Sequence, residues 1–191
     1  MSTHHQETGA EQIAAGEKYD DIMVDLETLS TAVDCVILSI GAVRFNADTI
    51  CGDKFYRIIS IDSNLAAGRT ISQDTLRWWL DQDAQAKAVL NDPNQTTISS
   101  ALADFRTWIG ADAETTKVWG NGADFDNAIL AHAYGMAGPP WKFYNSRCFR
   151  TIKSTLAAKR VAKPKNYGAH NALLDAINQA QHLQLIWKAG A

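Results

Sequence analysis

This sequence predicts an α/β domain in which helices flank a mixed five-stranded sheet, and three observations carry that expectation. Three strand patterns follow one another over residues 21–61. From residue 72 onward helical spacing takes over, broken by short strand patterns at 117–119 and 143–145. The composition is that of a globular chain: of 191 residues, 46% are hydrophobic and 20% charged, which excludes disordered, collagen-like and coiled-coil classes. The length suits one domain with its own core. The longest apolar run, 35–43, is interrupted by Ser39 and Gly41 and falls well short of the roughly 20 residues of a membrane helix.

Residues 1–19 read as a polar leader, with a short helical piece at 11–15, and the fold is expected over 20–191. The start of the chain lacks the basic and apolar parts of a secretory signal. Cys35, Cys51 and Cys148 form no C-x-x-C pattern and leave one cysteine unpaired, so a reduced, cytoplasmic protein is expected. Residues 21–27 alternate, with Ile22, Val24 and Leu26 on one face of a strand and Met23, Asp25 and Glu27 on the other. The apolar run 33–45 predicts a central strand covered on both sides. Residues 46–53 supply a turn and 54–61 a third strand, making an antiparallel meander. Ser72 caps a helix carrying Asp74 in its first turn and running through Leu76, Trp79 and Leu80; a second helix spans 96–109 with Ile98, Ala101, Leu102 and Phe105 on one side. A short strand at 117–119 leads through Gly120-Asn121-Gly122 into a helix over 125–135. A last strand is expected at 143–145, helices at 147–159 and 169–188, and a basic loop at 161–168.

Charge is unevenly spread. The net value is −3, yet residues 127–174 contain eight Lys or Arg and no Asp or Glu. That stretch, with Lys142, Arg147, Arg150, Lys153, Lys159, Arg160, Lys163 and Lys165, is either an anion-facing surface or a solvated face without a partner. Asp25 and Glu27 sit two apart on a strand that otherwise reads as buried, a costly arrangement unless a cation compensates it. The pair Asp112 and Glu114 repeats the spacing in a polar connection and serves as an internal control. Asp126 opens the helix after the Gly-Asn-Gly loop, where an acid also complements the helix dipole. His170 precedes Asp175 by five residues.

Together these segments, Asp25-Leu26-Glu27-Thr28, then Asn121 through Phe125-Asp126, then His170 through Asp175, resemble in order and spacing the DEDDh family of 3′-5′ exonucleases, whose fold is RNase H-like. Asp25-Leu26-Glu27-Thr28-Leu29-Ser30, the pair Trp78-Trp79 and the run from Trp119 to Asn127 look most like the subgroup of phage exodeoxyribonuclease A and bacterial RNase AS. A histidine before the last acid separates the chain from the DEDDy branch.

The resemblance implies two divalent cations, Mg²⁺ or Mn²⁺, held by Asp25, Glu27, Asp126 and Asp175, with His170 as general base. It implies hydrolysis of single-stranded DNA or RNA from 3′ ends to nucleoside 5′-monophosphates, and a homodimer as a common assembly. Thr28 and Leu29 would meet the terminal nucleotide, Asn121 and Phe125 belong to the second motif near substrate, and Arg147 would track phosphates with the basic stretch. Trp78 is a candidate stacking platform, although adjacent helical tryptophans usually place at least one in the core. An RNase H-like endonuclease, and a non-catalytic nucleic-acid-binding module on a nuclease scaffold, are the alternatives. The His170–Asp175 spacing disfavours the first, and the full set of five positions disfavours the second.

Overall fold

The computed structural model describes residues 18–165 and 170–190. The helical piece at 11–15, almost all of the leader and the end of the basic loop therefore lie outside the described residues. Strands β1 (Asp21–Thr28), β2 (Ile37–Phe45), β3 (Ile50–Ile58), β4 (Lys117–Gly120) and β5 (Ser146–Cys148) form one sheet in the order β3-β2-β1-β4-β5. The first three pair antiparallel, and β4 and β5 join in parallel. β1 is central, so both of its faces are covered, and its alternation sorts side chains between two cores. Ile22, Val24 and Leu26 pack under α4 (Ile98–Ile109) and α5 (Ala128–Ala133), whereas Met23 packs under Phe149 and the apolar stripe Ala176, Ala180, Leu183 and Ile186 of α7 (Ala172–Gly190). No helix among the described residues is long and apolar enough to cross a membrane.

The remaining helices are α1 (Ile61–Ala66), α2 (Gln73–Leu80), α3 (Ala84–Lys87) and α6 (Phe149–Lys153). Ser72 caps α2 as expected, accepting from the Thr75 N–H, and Thr97 caps α4 through the Ser100 N–H. Several boundaries depart from the expected ones: of the helix expected over 147–159 only Phe149–Lys153 is α-helical, because the residues before it pair with β4 as β5. The apolar run from 33 is strand only from Ile37, because Asn64 bonds both backbone groups of Ile37 and Arg69 donates to the Cys35 carbonyl, satisfying this backbone with side chains. β3 starts four residues early, since Asn46 closes a tight turn by accepting from the N–H groups of Asp48 and Thr49. Residues 143–145 form a single 3₁₀ turn, and the last strand is the next three residues. The helix expected from 125 is preceded by a widened turn over Ala123–Asn127; such turns recur at functional sites.

Two glycines set the spacing on which the site depends. Gly41 lies opposite Asp25 across β1 and β2, and a β-carbon there would collide with the backbone of Ala172 and Leu173. Glycine lets the first turn of α7 rest directly on the sheet beside Asp25. At the end of β4, a β-carbon on Gly120 would run into Asn127 and Asp126, so glycine also allows the widened turn to fold back.

Candidate active site

Asp25 and Glu27 project from the same face of β1, and the strand register shifts between Glu27 and Thr28, a bulge of the kind that re-aims side chains next to sites. Opposite them α7 contributes Asp175. One oxygen from each of Asp25, Glu27 and Asp175 lies within 4.8 Å of the others. Asp126, 2% exposed, comes from the widened turn; its Oδ1 accepts from the Leu26 N–H at 3.2 Å, while its buried Oδ2 has no hydrogen-bond partner among the described residues. Gln179, one turn beyond Asp175, donates from Nε2 to Asp25 Oδ1 at 2.6 Å.

Burial is the main cause of the electrostatics here. It raises the Asp25 carboxyl well above the usual range, with repulsion from Asp126, Glu27 and Asp175 adding to it and the Gln179 bond opposing it. Glu27 is pushed up to about 8 by burial, then by Asp175 and Asp126. Burial likewise takes Asp126 up to about 7, against backbone hydrogen bonds and the Arg150 charge, which pull it down. The donor set is all carboxylate oxygen, gathered where burial and mutual repulsion outweigh the opposing Arg150 charge. That is the chemistry of a site for a hard divalent cation.

The cluster forms one wall of a cleft of about 310 Å³, lined also by Asn121, Phe149, Lys153, Lys163, His170, Asn178 and His182. His170 has φ of +65°, in the left-handed region where histidine is tolerated better than most residues. Its backbone N–H donates to Asp175 Oδ2 at 3.0 Å, so the Asp175 carboxylate holds the residue in that conformation. The His170 ring stands edge-on to Trp78 and Trp79, with centroids 4.8 and 6.1 Å away.

Of the six residues expected to touch substrate, only Asn121 lines the cleft. Leu29 is 1% exposed and packs with Val36, Leu38 and Trp79, because the bulge after Glu27 carries the chain back into the core. Thr28 is buried as well; its hydroxyl donates to the Ser30 carbonyl and its carbonyl accepts from Trp79 Nε1. Phe125 packs against the core beneath α4, and Arg147 donates to the carbonyls of Tyr144 and Ser146. Trp78 is exposed on the rim behind His170, and Trp79 is the tryptophan that enters the core. Gln179, Lys153, Lys163 and His182 are among the cleft residues that the motifs did not single out; for Gln179 the available signal was its spacing of four from Asp175, one helical turn.

Comparison with known proteins bears on the family and the fold. Residues 20–187 match the family model of the 3′-5′ exoribonuclease Rv2179c-like domain. No curated protein matches the chain in sequence. Among solved structures, it is similar to cell-death related nuclease 4 (CRN-4), at 16% identity and a TM-score of 0.63, covering 91% of this chain and 65% of that one. It is also similar to exonuclease X in complex with 5′ overhanging duplex DNA, at 17% identity and a TM-score of 0.56, covering 88% of this chain and 91% of that one. The RNase domain of the yeast Pop2 protein matches at 9% identity and a TM-score of 0.56, covering 90% and 78%. The chain thus spans just under two thirds of the CRN-4 chain, and what it shares with all three is the RNase H-like fold.

Proposed function

The chain belongs to the 3′-5′ exoribonuclease Rv2179c-like domain family, nucleases of the DEDD type, and from that premise we propose that residues 20–191 form one domain that trims single-stranded nucleic acid, RNA in preference to DNA, to nucleoside 5′-monophosphates. The observation that supports this reading is the convergence of Asp25, Glu27 and Asp175 within 4.8 Å at the foot of a cleft, with the unpartnered oxygen of Asp126 buried behind them. Those four carboxylates would hold two Mg²⁺ or Mn²⁺ ions. Such ions, when bound, supply a hydroxide-like nucleophile at neutral pH and stabilise charge on the leaving 3′-oxygen.

The chain's own groups do the rest. Gln179 holds the Asp25 carboxylate in place through its amide. Asp126 ties the turn after β4 to the backbone of β1 through the Leu26 N–H, fixing the distance between its carboxylate and Asp25. His170, placed on the cleft by its bond to Asp175 and braced by two tryptophan rings, takes the proton of the attacking water at a ring nitrogen. This role would be that of the DEDDh branch, and the Trp78-Trp79 pair favours the subgroup of exodeoxyribonuclease A and RNase AS. The experiment is digestion of 5′-labelled single-stranded RNA and DNA with Mg²⁺, Mn²⁺ or chelator, with product sizing. Stepwise shortening with release of 5′-monophosphates, faster on RNA and absent in chelator, is expected. Internal fragments from a 3′-blocked strand would point to the endonuclease instead.

A further inference from the structure

The cleft has a second wall, of opposite sign. Of the eight cations in the stretch without carboxylates, only Lys153 and Lys163 line it, joined by His182 from α7. Lys142 is engaged outside by Glu114 at 2.8 Å and Arg147 by backbone carbonyls. The wall is built on Phe149, which is buried: Lys153 Nζ sits 5.0 Å from its ring centroid, and the His182 ring stands edge-on at 5.6 Å. Lys153 Nζ also donates to Asn121 Oδ1, and Arg150 to the Asn121 carbonyl, each at 2.7 Å. None of Arg150, Lys153 and Lys163 forms a salt bridge among the described residues. The crowding is felt: Lys153 is held below its ordinary value by burial, Lys163 and Arg150, and His182 by burial, Lys153 and Lys163. Like charges gathered on a cavity wall without a counter-charge are relieved by an anion.

We propose that Lys153, Lys163 and His182 bind the phosphate one nucleotide to the 5′ side of the scissile bond. The proposal rests on the 3′-5′ exonuclease reading: when a strand is cut from its 3′ end, the scissile phosphate is the last one. A second anion site in the same cleft therefore takes a phosphate on the 5′ side. Because it holds backbone and not base, the site is indifferent to sequence. The phosphate it holds becomes the scissile one after each cut, so the wall sets the step by which the strand advances.

The test compares a dinucleotide carrying a 5′-phosphate, which fills both sites, with the same dinucleotide lacking it. The wild type should prefer the phosphorylated form by about tenfold to a hundredfold, through KM, as expected for a charge-assisted contact. Lys153→Ala combined with Lys163→Ala should erase that preference, costing far more on the phosphorylated substrate than on the unphosphorylated one. Lys153→Arg, which keeps the charge beside Asn121, should retain the preference, and Lys142→Ala should match the wild type on both. No preference in the wild type, or an equal loss on both substrates in the double variant, would overturn the proposal. Binding of a labelled single strand gives a readout independent of turnover: the double variant should lower the salt slope by about 0.7 for the lost phosphate contact. An unchanged slope overturns the phosphate site even where the enzyme is active, whereas failure of the wild type to cut either dinucleotide sinks the exonuclease reading and leaves the slope to judge the wall.

Discussion

Asp25-Leu26-Glu27 and Asp112-Ala113-Glu114 share one spacing and differ in everything else. The first pair stands on the central strand, near a third and a fourth carboxylate, and burial drives its protons on. The second occupies a 3₁₀ turn, Gly110–Glu114, with no buried residue; there Glu114 meets Lys142 at 2.8 Å and is held below its ordinary value by that lysine. Where a local lysine neutralises an acid, nothing further is called for. Where the fold gathers acids and sets against them an amide, backbone N–H groups and the Arg150 charge, which burial outweighs, it maintains a destabilising arrangement, and such arrangements persist at sites that have a use for them.

The largest expected difference between the two pairs is in activity. Asp25→Asn should abolish nearly all turnover, by about 10³-fold or more as for loss of a principal charge-stabilising group, while Asp112→Asn should leave the rate unchanged. Stability sharpens the contrast. Asp25→Asn should raise the melting temperature of the metal-free protein, since the amide stays neutral in a place where the carboxyl has to take up a proton to be buried. Equal losses of activity in the two variants would show that the wrong pair has been singled out.

Next in size is the effect expected at His170, the proposed base. Replacing His170 should lower turnover by about 10² to 10⁴ with metal and substrate binding retained. Because His170 has φ of +65°, alanine adds backbone strain there, and His170→Asn, which tolerates the left-handed region, separates chemistry from folding. A fully active Asn variant would remove His170 from the mechanism.

A smaller effect is the response of stability to pH. The folded, metal-free protein keeps protons on Glu27 up to about 8 and on Asp126 up to about 7, protons that the unfolded chain loses in the ordinary carboxyl range. The stability tied to these groups is thus complete below the unfolded values, falls as pH rises, and levels off above about 8. Melting temperatures in chelator should decline over that window, flatten in Glu27→Gln, and recover with Mn²⁺. A temperature that rises from about pH 5 to 8 in chelator would contradict this sign. Glu114 has the opposite sign, with stability present above its ordinary value and lost as pH falls, yet its exposure makes the effect slight. Glu114→Gln should leave the melting temperature within experimental error.

The acids were legible because strand alternation has a period of two: once Ile22, Val24 and Leu26 were recognised as one face, Asp25 and Glu27 had to share the other. Asp126, His170 and Asp175 came from the order of motifs, not from any one spacing. What stayed hidden depends on distant parts of the chain. The start of β2 was invisible because Asn64 satisfies the backbone of its first residue and Arg69 a carbonyl just before it. Leu29 closely follows Asp25 and Glu27 in sequence, but a bulge turns it into the core. A run of basic residues does not reveal which of its members face inward; here the buried Phe149, packing beside Lys153 and His182, selects them.

The most direct measurement is calorimetric titration of Mn²⁺ into the metal-free wild type, Asp25→Asn and Asp112→Asn. The account predicts two ions per chain in the wild type and in Asp112→Asn, with binding lost or strongly weakened in Asp25→Asn. A wild type that takes up no Mn²⁺, or an Asp25→Asn protein that binds it as the wild type does, would contradict the claim that these buried carboxylates are gathered to hold metal.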